Sequence, residues 1–318
     1  MIGRGRPSYS NKLRDIPVTR IFTDDQLRHK DLATLKHYLC NKLGGYRVAI
    51  IEIRTDELLY RGVRCQVQPT MIDDVSYPPA KMATRCGRVN RTGCSVFYSS
   101  LAGPAVFYEL RAKQGDLIAL SEWEVAEPLW MHHLGYHEHA LQRKGVVDLT
   151  NRSRLLNPIP NESRENAKLR RRWSLAFTED IPDGQEYRYK QSIAINEWLF
   201  DGASPLPVHA DGPRHPCASG TVYPAMPMRG AADNVAIWPE FVRSSLRIKS
   251  VRYVRVVAAD EATSSYTLLT LAYSQIFSGR QIVWQDVDLP ERQRLSHIAL
   301  EGNQWILRDG FNQVYNRH

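Results

Sequence analysis

Apolar and polar positions along the chain change rhythm several times, and one stretch carries a clear helical period. Leu32, Leu35, Leu39 and Leu43 recur at spacings of three, four and four, which predicts an amphipathic helix. Asp24 and Asp25 stand where its N-cap is expected, and Gly44-Gly45 is the expected stop. The runs 48–53, 57–64 and 95–98 and the stretch opening at Leu117 are rich in β-formers and predict strands. Tyr77-Pro78-Pro79 breaks regular structure. Ser99 and Ser100 are placed to cap a helix from about 103 to 114, with Pro104 in its first turn and Gly115 closing it.

From 127 to 215 the pattern weakens into Pro, His, Arg and Asn around one helical piece at Tyr189–Phe200, which predicts an insertion decorating a core. Strands follow at 221–223, 235–238, 251–257 and 266–273, with a short helix at 239–247. Strands and helices intermix without regular βαβ alternation, so the expected class is α+β rather than a doubly wound sheet. The expected organisation is an arm (1–20) and helix within 1–50, then a core over 51–260 holding the insertion. Strands in 261–318 complete that core.

Composition narrows the picture. A chain of 318 residues with 43% apolar and 24% charged side chains is neither disordered, collagenous nor coiled-coil. No window reaches the ~18 apolar residues of a membrane span, and the basic N-terminus has no apolar stretch behind it. The cysteines (Cys40, Cys65, Cys86, Cys94, Cys217) are odd in number and lack CxxC spacing, which fits a reducing compartment. A cytoplasmic protein without membrane contact is expected.

A net charge of +8 favours anionic partners. Its densest run, Lys168-Leu169-Arg170-Arg171-Arg172, reads as a solvated helix face, so nucleic acid is not the expected partner of this chain alone.

Fingerprints of the common nucleotide-binding and hydrolase folds (GxGxxG, Walker A, HExxH, GxSxG) are absent. His133 and His137 would share a face on a helix, but Gly135 weakens that helix, and no metal is expected. The denser signal lies between 77 and 109. Gly87-Arg88-Val89-Asn90 is followed by Gly93, by Tyr98 at the end of a predicted strand, and by Glu109 on a predicted helix.

This block resembles the RES domain, whose members are NAD⁺-consuming toxins with a fold similar to ADP-ribosyltransferases. Tyr60-Arg61 fits an earlier element of the pattern. Tyr223-Pro224-Ala225 with Asn234-Val235-Ala236-Ile237 resembles a later one, with Ala225 standing where the family has Ser. The resemblance spans about 57–125 and 219–257.

It implies an ADP-ribosyltransferase-like split β-sheet core with flanking helices and a large insertion. It further implies an enzyme that cleaves the nicotinamide–ribose bond, as glycohydrolase, phosphorylase or protein ADP-ribosyltransferase, in a toxin–antitoxin or defence system. NAD⁺ is then substrate, and an antitoxin (Xre-like) covering the pocket is the implied protein partner. The implied catalytic residues are Glu109, Arg88 and Tyr98. The implied dinucleotide-binding residues are Arg61, Arg88, Asn90, Gly93, Tyr98, Tyr223 and Ala225. The competing expectation is a catalytically silent basic module that binds nucleic acid.

The residue types suit the chemistry. Cleaving this bond passes through an oxocarbenium-like state and releases a ring that is already cationic, so no strong general acid is needed. A guanidinium fork holds phosphate oxygens, an aromatic face supports a ring, and a carboxylate steadies the developing cation.

Overall fold

The computed structural model describes residues 21–42, 48–146, 162–200, 218–302, 304–311 and 313–316. The predicted arm at 1–20, the helix stop at Leu43-Gly44-Gly45, Cys217 and the stretches 147–161 and 201–215 of the predicted insertion lie outside them.

The N-terminal helix is two helices, α1 (Asp24–His29) and α2 (Leu32–Lys42). Thr23, not an aspartate, caps the first: its Oγ1 accepts from Gln26 N at 3.2 Å while Gln26 Oε1 accepts from Thr23 N at 2.9 Å. Asp31 interrupts the period by accepting from Thr34 N at 2.7 Å, a second cap that starts the second helix. Leu35 and Leu39 are buried, as their spacing predicts.

A large, mostly antiparallel sheet with flanking helices follows. Among the described residues it has thirteen strands. These are β1 (Ile50–Ile53), β2 (Leu58–Arg64), β3 (Phe97–Ser100), β4 (Leu117–Val125), β5 (Leu129–His133), β6 (Gly220–Pro224) and β7 (Asp233–Ile237). The rest are β8 (Leu246–Asp260), β9 (Ser265–Ser278), β10 (Gln281–Asp286), β11 (Leu295–Glu301), β12 (Gln304–Arg308) and β13 (Val314–Asn316). The order is β1-β5-β6-β7-β3-β2-β4-β8-β9-β11-β12-β13, with β10 on β9. Only β5 and β6 pair in parallel among these strands. The class is mixed α and β, as expected.

The remaining helices are α3 (Ala105–Glu109), α4 (Glu138–Gln142), α5 (Arg164–Thr178), α6 (Tyr189–Phe200), α7 (Pro239–Ser245) and α8 (Glu291–Arg294). The 127–215 stretch is more than decoration. β5 lies in the sheet between β1 and β6, and Leu129 and Met131 are fully buried. From α5 and α6, Trp173 and Trp198 meet edge to face at 5.5 Å in the core that also takes Leu35, Leu39 and Tyr223.

The helix predicted over 103–114 is cut to α3. Arg111 takes φ +47° and Ala112 N donates back to Phe107 O, so the chain turns away after Glu109. β3 begins at Phe97, two residues later than predicted, where pairing with β7 starts at Ile237. Among the described residues no helix is long and apolar enough to cross a membrane.

Candidate functional site

The loop that carries Arg88 is built by its own backbone and by Tyr98. Gly87 N donates to Asn90 O at 2.9 Å, and Gly93, at φ +80°, donates to Ala83 O at 2.8 Å. Asn90 is buried inside the turn, where Nδ2 donates to the carbonyls of Arg91 and Cys94, each at 3.1 Å. The Tyr98 hydroxyl donates to Asn90 Oδ1 at 2.7 Å and accepts from Val89 N at 3.1 Å. A Cβ on Gly87 would sit 2.6 Å from that hydroxyl and 2.5 Å from Asn90 Oδ1, so the loop closes on Tyr98 only with glycine there. Asn90 and Gly93 therefore shape the loop and do not line the cleft beside it.

That cleft encloses about 1060 Å³. Arg88 enters it from the loop, Tyr98 from β3, Glu109 from the end of α3 and Tyr223 from β6. The three groups expected to carry the chemistry thus share one cavity.

Arg88 is held by a distant helix. Nη1 donates to Ala176 O at 3.0 Å and Nη2 to Glu179 O at 2.8 Å, so the guanidinium caps the carboxyl end of α5. Its charge centre lies 5.7 Å from the Tyr189 ring and 6.0 Å from the Tyr223 ring. Asn196 of α6 donates to Val89 O at 3.2 Å and accepts from Thr221 of β6 at 2.6 Å, tying loop, helix and sheet together.

Glu109 is reached by solvent through the cleft, yet protein crowds its carboxylate. Desolvation raises its pKa, opposed by a 2.6 Å hydrogen bond from Asn234 Nδ2 and by the charges of Arg88 and Arg111. Burial raises the Tyr98 phenol and holds that of Tyr223 well above its ordinary value. Both rings therefore stay neutral.

Arg61 and Ala225, two further expected binding residues, are placed differently from each other. Arg61 lines the cleft, but its Nε donates to Ser76 O at 2.9 Å and its Nη1 to Tyr98 O at 2.8 Å. Burial lowers its pKa to about 10, and two of its three nitrogens fix the Ser76 and Tyr98 carbonyls. Ala225 is fully buried in the apolar cluster beneath α3 and does not line the cleft, because the chain enters a tight 3₁₀ turn there (Met226–Met228). The pair His133 and His137 shares no helical face. His133 ends β5, stacked on Tyr136 at 3.9 Å, and His137 is the N-cap of α4.

Sequence reasoning missed several groups at this site. Asn234 orients Glu109 from across the sheet, although it stands in the block that carried the resemblance. The cations at the mouth are Arg64, Arg85, Arg111, Lys113 and Lys144, not the 168–172 run. In that run Arg170 is mostly buried in an ion pair with Glu162 at 2.9 Å and donates to Tyr136 O at 3.0 Å. Arg111 and Lys113 flank Glu109 closely enough in sequence to have been a signal. Arg111 reaches Asp180 at 3.3 Å across the mouth.

Compared with known protein families, characterised proteins and solved structures, the chain finds no match.

Proposed function

We propose that this protein cleaves the nicotinamide–ribose bond of NAD⁺ and that its sheet and helices are an ADP-ribosyltransferase-like core of RES type. The observation that carries this reading is the convergence of Arg88, Tyr98, Tyr223 and Glu109 on one cleft large enough for a dinucleotide.

In this reading the free edge of the Arg88 guanidinium and the rim cations hold the pyrophosphate. The neutral rings of Tyr98 and Tyr223 form the platform for nicotinamide. Glu109, aimed by Asn234, holds a ribose hydroxyl and faces the cation developing at the anomeric carbon. The C–N bond breaks with its electron pair leaving on nicotinamide, which departs neutral, and an acceptor then bonds to the anomeric carbon. Water or phosphate is the proposed acceptor, and the biological setting is a toxin held by an antitoxin at the cleft mouth. Protein side chains are the alternative acceptors.

Incubation with NAD⁺ and measurement of free nicotinamide tests the proposal. Release by the native chain and its loss in Glu109→Gln are expected. Since desolvation raises the Glu109 pKa, the acid limb of the rate profile is expected above that of an ordinary glutamate. Binding of DNA or RNA that weakens steeply with salt, with no nicotinamide released, would instead favour a silent basic module.

A further inference from the structure

A second cavity, of about 300 Å³, shares α3 and Tyr60 with the cleft. Val106 and Glu109 of α3 face the cleft, whereas Phe107 lines the second cavity. Its floor is the sheet from β4 to β13, and strand register orders the groups along that floor.

At one end Arg252 of β8 pairs with Leu120 of β4, so a guanidinium stands on the face that otherwise joins the apolar cluster. One step along, Val254 pairs with Thr270 of β9; at the next, Leu268 pairs with Val256 and with Ser296 of β11. Beyond these, Ile298 pairs with Leu307, and Leu300 with Trp305 of β12. Arg252 and Thr270 thus lie toward one end, Ser296 lies midway, and Phe107, Ile298, Leu307, Trp305 and Tyr315 line the other.

Among the described residues the Arg252 side chain makes no hydrogen bond or ion pair, and neither the Thr270 nor the Ser296 hydroxyl makes a hydrogen bond. Arg252 is half-buried as a residue beside the buried Leu120, and its guanidinium has no acceptor of its own, so it is free to take an anion. The idle Thr270 hydroxyl, one strand over and two residues along, suits a carboxylate's remaining lone pairs, and that of Ser296 lies a further strand on. The volume lies at the low end of ligand cavities and suits a body of roughly ten heavy atoms.

We infer that this cavity binds a small amphipathic carboxylate, its head on Arg252 and Thr270 and its apolar body against Phe107, Ile298 and Trp305. The inference stands apart from the chemistry of the cleft.

Octanoate and its neutral isostere octanamide are the probes, titrated into the full chain by calorimetry and by tryptophan fluorescence. Octanoate is expected to bind saturably and at least tenfold tighter than octanamide. Arg252→Gln is expected to erase that difference, and Trp305→Phe to remove the fluorescence change while leaving the heat. Thr270→Glu, which gives Arg252 an internal partner, is expected to abolish octanoate binding and serves if Arg252→Gln fails to fold. Equal binding of the two probes, undiminished binding by Arg252→Gln or Thr270→Glu, or no saturable binding of octanoate up to low millimolar concentration would overturn the inference.

Discussion

Glu109 and Arg88 face the same cleft but are held there by different means. Glu109 sits at the end of a five-residue helix whose Ala105, Val106, Phe107 and Tyr108 are all buried, so its own neighbours aim it outward, and one hydrogen bond from Asn234 sets its direction. Arg88 sits on a loop with no regular structure and takes its position from carbonyls 88 and 91 residues away at the end of α5. The Glu109 wall is mainly a local apolar helix with one long-range hydrogen bond, while the Arg88 wall is held by long-range polar contacts alone. A polar wall of this kind leaves unpaired acceptors when its key group is removed, so change there should damage fold and function together. Change on the Glu109 wall should separate them.

The largest expected effect tests that separation. Glu109→Gln keeps an acceptor for Asn234 while losing the charge, so nicotinamide release is expected to fall about 100-fold or more. A carboxylate whose folded pKa is raised contributes stability below its unfolded pKa and loses it as pH rises through the folded value. At neutral pH, thermal unfolding of Glu109→Gln should therefore occur at the native temperature or slightly above. A clear drop in that temperature would erase the contrast between the walls.

His132 probes the seam between sheet and helices, where it meets Phe200 of α6 edge-on at 4.7 Å. Burial lowers its pKa to about 4. Its folded value lies below the ordinary 6.5, so stability is full above about pH 6.5 and is lost as pH falls toward 4. Up to ~3 kcal/mol rides on this group. His132→Phe should flatten the acid limb of a denaturation series, and an unchanged limb would show that the seam does not titrate there.

Arg88→Ala should lower nicotinamide release and destabilise the chain together, by about 1–3 kcal/mol for the carbonyls of Ala176 and Glu179 left unpaired. Full stability with lost activity would mean that Arg88 does not hold α5. Gly87→Ala should cost about 1–3 kcal/mol by driving a methyl group into Asn90 and the Tyr98 hydroxyl. Urea unfolding measures it, and a neutral result would show that the loop can relax. Smallest is Arg111→Ala at the exposed pair with Asp180, where less than ~1 kcal/mol is expected.

Much of the site's near wall was legible before any coordinates. A strand carrying Tyr98 (though it runs on through Ser99 and Ser100, expected as caps), the apolar shoulder of Glu109 and the turn carrying Arg88 follow from side-chain periodicity and from Gly and Pro chemistry. The short extent of α3 was not legible, because a left-handed Arg111 gives no sequence signal of the kind a glycine gives. Nor was β5. Its His-rich end conceals a buried strand whose partners, β1 and β6, lie far away in the chain.

The sequence alone determined several of the stretches that bury an apolar face, such as the one holding Leu35 and Leu39, and the glycine turns at 87 and 93, since both depend on a residue and its near neighbours. Tertiary structure alone decided which cations serve the cleft. Arg170 is spent on a carboxylate and a carbonyl, Arg61 and Arg88 line the cleft while holding backbone carbonyls, Ala225 is sealed beneath α3, and Arg85, Lys113 and Lys144 reach the mouth. Charge is written in the sequence, but the partner that occupies it is chosen by contacts between segments far apart in the chain, and no local pattern encodes those contacts.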